Sequence, residues 1–176
     1  MSRIIVFAGS NSRQSINKRL AQYAASLLQH ATHELLDLND FPLPVFGVDL
    51  ERENGYPDAA LAFDAKIRSC DGIILSLAEH NGSYSAVFKN LLDWLSRIEG
   101  KLWRNKPMLL MSTSPGARGG AGVMAAATDR FPRHDSQIIG TFSLPSFKDN
   151  FEGEKIADSV LNEELVGLVK KFESSL

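Results

Sequence analysis

Five short strand-like runs that alternate with stretches whose apolar residues recur at helical spacing constrain this chain more than any other feature. Ile4 to Ala8 form the first run, and Ile16, Leu20, Tyr23, Ala24, Leu27 and Leu28 then fall on one side of a helix over about 15–30. His33 to Leu38 reads as a short second strand. Pro57-Asp58 opens the next helix, with Asp58 near its positive end and Phe63, Ile67 and Cys70 on one stripe. Gly72 to Leu77 is the third strand, and the helix over 84–98 aligns Val87, Phe88, Leu91, Leu92 and Leu95. Pro107 to Met111 is the fourth, followed by a glycine-rich loop (Ser112 to Gly122) and a helix to about Phe131. Gln137 to Phe142 is the fifth, and Ile156 to Phe172 the last helix, aligning Leu161, Leu165, Leu168 and Phe172. Residues 39–57 hold Pro42, Pro44 and Pro57 with Asn39, Gly47 and Gly55, and read as one long irregular connection, a segment type that tends to carry function or docking.

Runs that are apolar at every position belong to strands covered on both faces. Strands that alternate with helices need crossovers, which are right-handed and make the sheet parallel. The expectation is an α/β protein, a single domain over 1–176. Five units favour a flavodoxin-like three-layer sandwich with strand order 2-1-3-4-5 over a six-stranded dinucleotide fold. Ligands in such sheets sit beyond the carboxyl ends of the strands where the order reverses, here between the first and third strands. The loops after strands one, three and four should therefore meet, and they are the three richest in Gly, Ser and Asn.

A formal charge of −2 argues against nucleic acid or an anionic membrane as partner. Met1-Ser2-Arg3 leads straight into the first strand and no apolar run approaches membrane-spanning length, so neither a secretory leader nor a span is expected. The one cysteine, Cys70, fits a reducing compartment and reads as packing. The expected location is the cytoplasm.

The turn after the first strand carries Gly9, Ser10, Asn11, Ser12, Ser15 and Asn17. A helix start has unpaired N–H groups and a positive dipole end, which suits an anion. Ser10, Ser12, Ser15 and the amides of Ile16 and Asn17 would be its donors, and a plain N-cap at Ser12 or Ser15 is the alternative. Two other motifs carry less. Gly120 to Ala125 fits G-x-G-x-x-A but follows the fourth strand rather than the first, where a dinucleotide fingerprint belongs. The first turn lacks G-x-x-x-x-G-K-[ST], and His30, His33 and His134 have no metal-ligand spacing.

Gly9 to Ala21 resembles the first-turn signature of NADPH-dependent FMN reductases, roughly G-S-x-R-x-x-S-x-N-x-x-L-A. Ala78-Glu79-His80-Asn81-Gly82-Ser83-Tyr84-Ser85-Ala86-Val87-Phe88-Lys89-Asn90-Leu91-Leu92-Asp93-Trp94 resembles that family's P-E-Y-N-G-S-x-P-x-x-L-K-N-x-x-D-W. Ser112 to Gly120 is similar to its third, glycine-rich loop. The chain departs from the pattern at Ser12, where the family has Arg and this chain places Arg13 one position on, and at Ala78 and His80, where the family has Pro and Tyr.

The resemblance implies noncovalent FMN, with NADPH or NADH as co-substrate, ping-pong hydride transfer through flavin N5, and a small-molecule acceptor such as a quinone or free flavin. It also implies a homodimer or homotetramer with the third helix at the interface. FMN would be held by Ser10, Ser12, Ser15, Ile16 and Asn17 around the phosphate. Glu79, His80, Asn81, Gly82 and Ser83 would lie along the pyrimidine edge of the ring, and Ser114, Gly116 and Gly119 on its other side. No side chain is expected to be a catalytic acid or nucleophile, because the cofactor carries the chemistry. Three alternatives stay open: Asn81-Gly82 is also an ordinary turn dipeptide, Glu79 and His80 could be a solvated pair, and Arg118 is either an NADPH-phosphate contact or a loop cation. Trp94 reads as core or subunit interface. A flavodoxin-type electron carrier without its own NADPH oxidation is the rival reading.

Overall fold

The computed structural model describes residues 1–176. Its elements in chain order are β1 (Arg3–Gly9), α1 (Ile16–Ser26), β2 (Thr32–Leu36), a 3₁₀ turn (Leu38–Asp40), α2 (Val48–Asn54), α3 (Asp58–Ser69), β3 (Gly72–Leu77), β4 (Glu79–His80), β5 (Ser83–Tyr84) and α4 (Ala86–Ile98). There follow β6 (Lys106–Thr113), α5 (Ala121–Arg130), a second 3₁₀ turn (Phe131–His134), β7 (Ser136–Leu144), α6 (Phe147–Asn150), β8 (Phe151–Glu152), β9 (Lys155–Ile156) and α7 (Ser159–Glu173). The five long strands form one parallel sheet in the order β2-β1-β3-β6-β7. This is the expected 2-1-3-4-5 order, the last two numbers being raised by the small β4–β5 hairpin. No helix is long and apolar enough to cross a membrane.

Strand geometry sends alternate residues to opposite faces, and the core divides accordingly. Ile5, Phe7, Ile73, Leu75, Met108 and Leu110 pack on one side with Phe63 of α3, Phe88 of α4 and Val123 of α5. Ile4, Val6, Ile74, Leu109 and Met111 pack on the other with Leu20 of α1 and Leu165 and Phe172 of α7. Continuous burial along β1 and β3 is the direct result of having helices on both faces.

Two helices are shorter than their apolar spacing suggests. α1 stops at Ser26, and the Leu27 and Leu28 amides turn back to the carbonyls of Ala24 and Ala25 in a tightened last turn. α7 begins at Ser159, because Ile156 lies in the β8–β9 hairpin and Asp158 caps the helix by accepting from the Leu161 amide at 2.9 Å.

The 39–57 segment is not wholly irregular. It carries the end of a 3₁₀ turn and α2, a polar helix with no buried residue. It forms a strap over α4: the Pro44 carbonyl accepts from Trp94 Nε1 (2.8 Å) and Asn90 Nδ2 (3.0 Å), and Asn90 Oδ1 accepts from the Phe46 amide (2.8 Å). Phe46 stands edge-on to Trp94 at 5.1 Å. Trp94 is therefore core, fully buried beneath this strap.

Candidate functional site

At the carboxyl ends of β1, β3 and β6 the three Gly/Ser/Asn-rich turns meet around an open cleft of about 200 Å³. Ser10, Ser12, Gln14, Ser15, Ile16 and Asn17 form one side; Ala78, Glu79 and His80 form the second; Thr113, Ser114 and Pro115 form the third. Convergence follows from the strand order, which places β1 next to β3 and β3 next to β6.

The first turn is built to present donors. Ser10 Oγ accepts from the Ser12 amide (3.1 Å), Ser12 Oγ accepts from the Gln14 amide (3.3 Å), and the Ser12 carbonyl accepts from the Ser15 amide (3.1 Å). Ser15 is the N-cap of α1, accepting from the Lys18 amide at 3.2 Å, and it is buried. With those bonds assigned, the amides of Asn11, Arg13, Ile16 and Asn17 have no intramolecular acceptor, and the Ser15 hydroxyl hydrogen is also uncommitted. The first turn of α1 holds no acidic residue, and the Arg13 guanidinium has no carboxylate partner. Free amides, free hydroxyl hydrogens, the positive end of an eleven-residue helix and an unpaired cation together form a candidate anion cradle.

Asn17 supplies that cradle through its backbone alone. Its side chain is 3% exposed and points inward, donating through Nδ2 to the Thr113 carbonyl (3.1 Å) and accepting at Oδ1 from Ser76 Oγ (2.7 Å) and the Thr113 amide (3.0 Å). It thus bolts the start of α1 to the ends of β3 and β6. Thr113 is in turn fixed by its hydroxyl, which donates to the Leu144 carbonyl at 2.8 Å. Ser85, the N-cap of α4, donates to the Gly9 carbonyl at 2.7 Å and ties the end of β1 to that helix.

Glu79 is likewise committed to the fold. Its Oε2 accepts from the Val123 amide at 2.8 Å, in the first turn of α5, where a carboxylate also meets the helix dipole. Glycine at 122 makes room for this: a Cβ there would sit 2.7 Å from Glu79 Oε2 and 2.9 Å from the Gly82 carbonyl oxygen. The G-x-G-x-x-A stretch is therefore the seat of the β4–β5 hairpin, and an internal carboxylate fills the position where a phosphate could bind.

Asn81 (φ 53°) and Gly82 (φ 77°) form the two-residue turn of that hairpin, pairing Glu79 with Tyr84 and His80 with Ser83. Asn81, Gly82 and Ser83 do not line the cleft, and neither do Gly116 and Gly119. Gly119 (φ 57°) is buried against the Leu144–Pro145 backbone, with its carbonyl accepting from Ser112 Oγ at 2.7 Å, so its role is turn geometry. The remaining expected residues, Ser10, Ser12, Ser15, Ile16, Asn17, Glu79, His80 and Ser114, are brought together. Gln14, Ala78, Thr113 and Pro115 also line the cleft; Thr113 does so because β6 runs two residues past the apolar Pro107–Met111 run and ends at the rim.

Cys70 is buried, donates to the Ile67 carbonyl at 3.2 Å, and has its thiol pushed up to about 11 by burial, which leaves it protonated and inert.

A profile of the NADPH-dependent FMN reductases matches residues 2–149. The chain belongs to that family. Within the matching relatives, a 2-hydroxy-1,4-benzoquinone reductase from a Burkholderia species is 37% identical over 121 residues, covering 68% of this chain and 64% of that protein. An NADPH:quinone oxidoreductase of Arabidopsis thaliana is 35% identical over 122 residues, covering 67% and 61%. The chain thus spans somewhat under two thirds of the length of these relatives. Of solved structures, the flavoenzyme NAD(P)H:(acceptor) oxidoreductase FerB from Paracoccus denitrificans superposes with a TM-score of 0.78 at 25% identity, over 99% of this chain and 96% of that one. An NADH:FMN oxidoreductase, EmoB, shares the fold with a TM-score of 0.69 at 19% identity, over 100% of this chain and 90% of that one. The flavodoxin-like architecture of this FMN reductase family member is therefore shared with flavin enzymes.

Proposed function

We propose that this chain binds FMN noncovalently at the three-turn cleft and acts as an NAD(P)H oxidoreductase. Held there by the Ser10–Asn17 turn and the Ala78–His80 and Thr113–Pro115 segments, FMN would supply two-electron chemistry for ping-pong transfer of hydride, through flavin N5, from NADPH or NADH to a quinone, a free flavin or a similar small acceptor. The observation that carries the reading is the set of uncommitted donors at the start of α1, the Arg13, Ile16 and Asn17 amides and the Ser15 hydroxyl, in a first turn that holds no acidic residue, the one carboxylate of the cleft, Glu79, being bonded to the Val123 amide. A terminal phosphate, doubly charged or nearly so at neutral pH, satisfies all of these groups at once.

The rest of the cleft fits a planar ring. Ala78 presents only a methyl group, and His80 and Thr113 to Pro115 border the opening. These groups bind and orient the cofactor; none is a proton donor or nucleophile in the reaction. The exposed His80, standing where the family has Tyr, offers a polar edge toward an acceptor. The quinone relatives support a quinone as acceptor, and the resemblance supports a homodimer or homotetramer in the cytoplasm, to be checked by sedimentation and by fractionation.

The test is a fluorescence titration of FMN with the purified chain, alongside NADPH oxidation with a benzoquinone acceptor. Saturable quenching and turnover are expected, and Ser15→Ala should weaken FMN binding by about tenfold to a hundredfold, the worth of one hydrogen bond to a charged group. A preparation that does not quench FMN, or a Ser15→Ala variant that binds it unchanged, overturns the assignment. Tight FMN binding with no NADPH oxidation would select the electron-carrier alternative.

A further inference from the structure

The peptide between Asn11 and Ser12 separates two sides of the first turn. Ser10 and Ser12 line the cleft, whereas Asn11 lies with Asn39 on the opposite side. The peptide is trans and planar, so its C=O and N–H point in opposite directions. Its carbonyl turns outward and accepts from Asn39 Nδ2 at 3.1 Å. Its N–H turns inward and donates to Ser10 Oγ at 3.1 Å. A hydroxyl that accepts from an amide must aim its own hydrogen elsewhere, and the Ser10 hydroxyl donates to no group of the chain. That hydrogen is left for a ligand in the cleft.

Reversal of this one peptide would undo the arrangement. The Asn11 carbonyl oxygen would face the cleft, repel an anion there, and take the Ser10 hydroxyl hydrogen for itself. The Asn39 carboxamide is the only hydrogen-bond partner that holds the carbonyl outward. Asn39 is itself oriented from behind. Its amide and its Nδ2 both donate to Asp37 Oδ1, at 2.9 and 2.8 Å, and a carboxylate only accepts, so the nitrogen of the carboxamide is the atom turned to that corner. The other Asp37 oxygen is held by Lys18 of α1, which keeps the carboxylate paired on the far side of the turn from the cleft.

We propose that Asn39 is a positioning residue for the anion site: it touches no ligand, and it acts by holding the Asn11–Ser12 peptide so that the Ser10 hydroxyl stays available to a phosphate group. The proposal deepens the reading of the cleft as a phosphate site and rests on it. The size of the effect is bounded. Asn39 can favour binding only by as much as it favours the outward carbonyl, and one neutral hydrogen bond sets that at about twofold to tenfold in affinity.

The test titrates ¹⁵N-labelled protein with inorganic phosphate, with FMN and with riboflavin, a flavin that lacks the phosphate. Asn39→Ala, at an exposed position outside the core, should raise the midpoints for phosphate and FMN by about twofold to tenfold and leave that for riboflavin unchanged. The Ser12 amide resonance should move in the ligand-free variant. Ser10→Ala takes away the group through which Asn39 acts, so Asn39→Ala should cost less when added to Ser10→Ala than when made alone. Additive losses, equal weakening of FMN and riboflavin, or unchanged phosphate and FMN midpoints in Asn39→Ala would each overturn the assignment. So would the absence of any saturable shift at residues 10–17 of the wild-type chain with either phosphate or FMN. Phosphate binding without FMN binding would instead overturn the flavin reading, and the phosphate midpoints alone would then decide the role of Asn39.

Discussion

Replacing Asn17 by alanine removes three buried hydrogen bonds at one stroke, to Ser76 Oγ and to both backbone groups of Thr113. At about 1 kcal/mol each they sum to about 3 kcal/mol, and the Thr113 amide and carbonyl left without partners raise the loss toward about 5 kcal/mol. Unfolding entropy near 60 °C is about 2.1 cal/mol/K per residue, or about 0.37 kcal/mol/K for 176 residues. The melting temperature should therefore fall by about 8–14 °C, measured by calorimetry or circular dichroism without added ligand. Asn17→Asp keeps the size but turns a carboxylate oxygen toward the Thr113 carbonyl in a buried site, and should lose at least as much. A contrasting outcome follows if the Asn17 side chain contacts ligand instead: the free protein would melt normally and only cofactor affinity would drop. A fall of less than about 3 °C in Asn17→Ala would refute the clamp.

Glu79→Ala should cost about 1 kcal/mol or more through loss of the α5 cap and speed exchange of the Val123 amide, while Glu79→Gln, which keeps an acceptor oxygen, should restore most of the protection; equal exchange in the two variants would contradict the capping role. The Tyr84 hydroxyl is buried without a partner, so Tyr84→Phe should leave stability unchanged or raise it in urea denaturation. Burial pushes that phenol up to about 12 from 10.0, so folding favours its neutral form: the contribution is whole below pH 10 and is lost between pH 10 and about 12, a decline that Tyr84→Phe should flatten. Glu34 bonds to Lys66 and Arg3, each at 2.5 Å, which hold its carboxyl below the usual 4.5; stability from it is present above that value and lost as pH falls through the lowered one, so Glu34→Gln should show a shallower acid limb.

Where burial alone decides structure, the amino-acid pattern is transparent. Ile4 to Ala8 and Gly72 to Leu77 announce covered strands, and their order with the intervening helices leads to the sheet and to the meeting of three turns. α2 is invisible by the same logic, because Val48-Asp49-Leu50-Glu51-Arg52-Glu53-Asn54 buries nothing and gives no stripe to read. The site is harder, since the residue types that bind ligands are those that cap helices and fasten loops. Asn17 and Glu79 look like ligands in a string of letters, yet their side chains are spent on Thr113, Ser76 and Val123. Only partner geometry separates the two uses. Asn81-Gly82 shows the reverse: its plain reading as a turn is the one the hairpin realises.

α1 carries the anion cradle at one end, and along its length it is clipped by much later parts of the chain. The Arg19 guanidinium lies 5.3 and 5.0 Å from the ring centres of Phe147 and Phe151 and donates to the Gly153 carbonyl, and Tyr23 bonds to Asn162. During ribosomal synthesis the mouth of the cleft is laid down more than a hundred residues before the clip that steadies it. If the cleft holds FMN as proposed, capture should accordingly be a late event in the biogenesis of this chain, arriving after the carboxyl-terminal third has emerged and closed over its first helix.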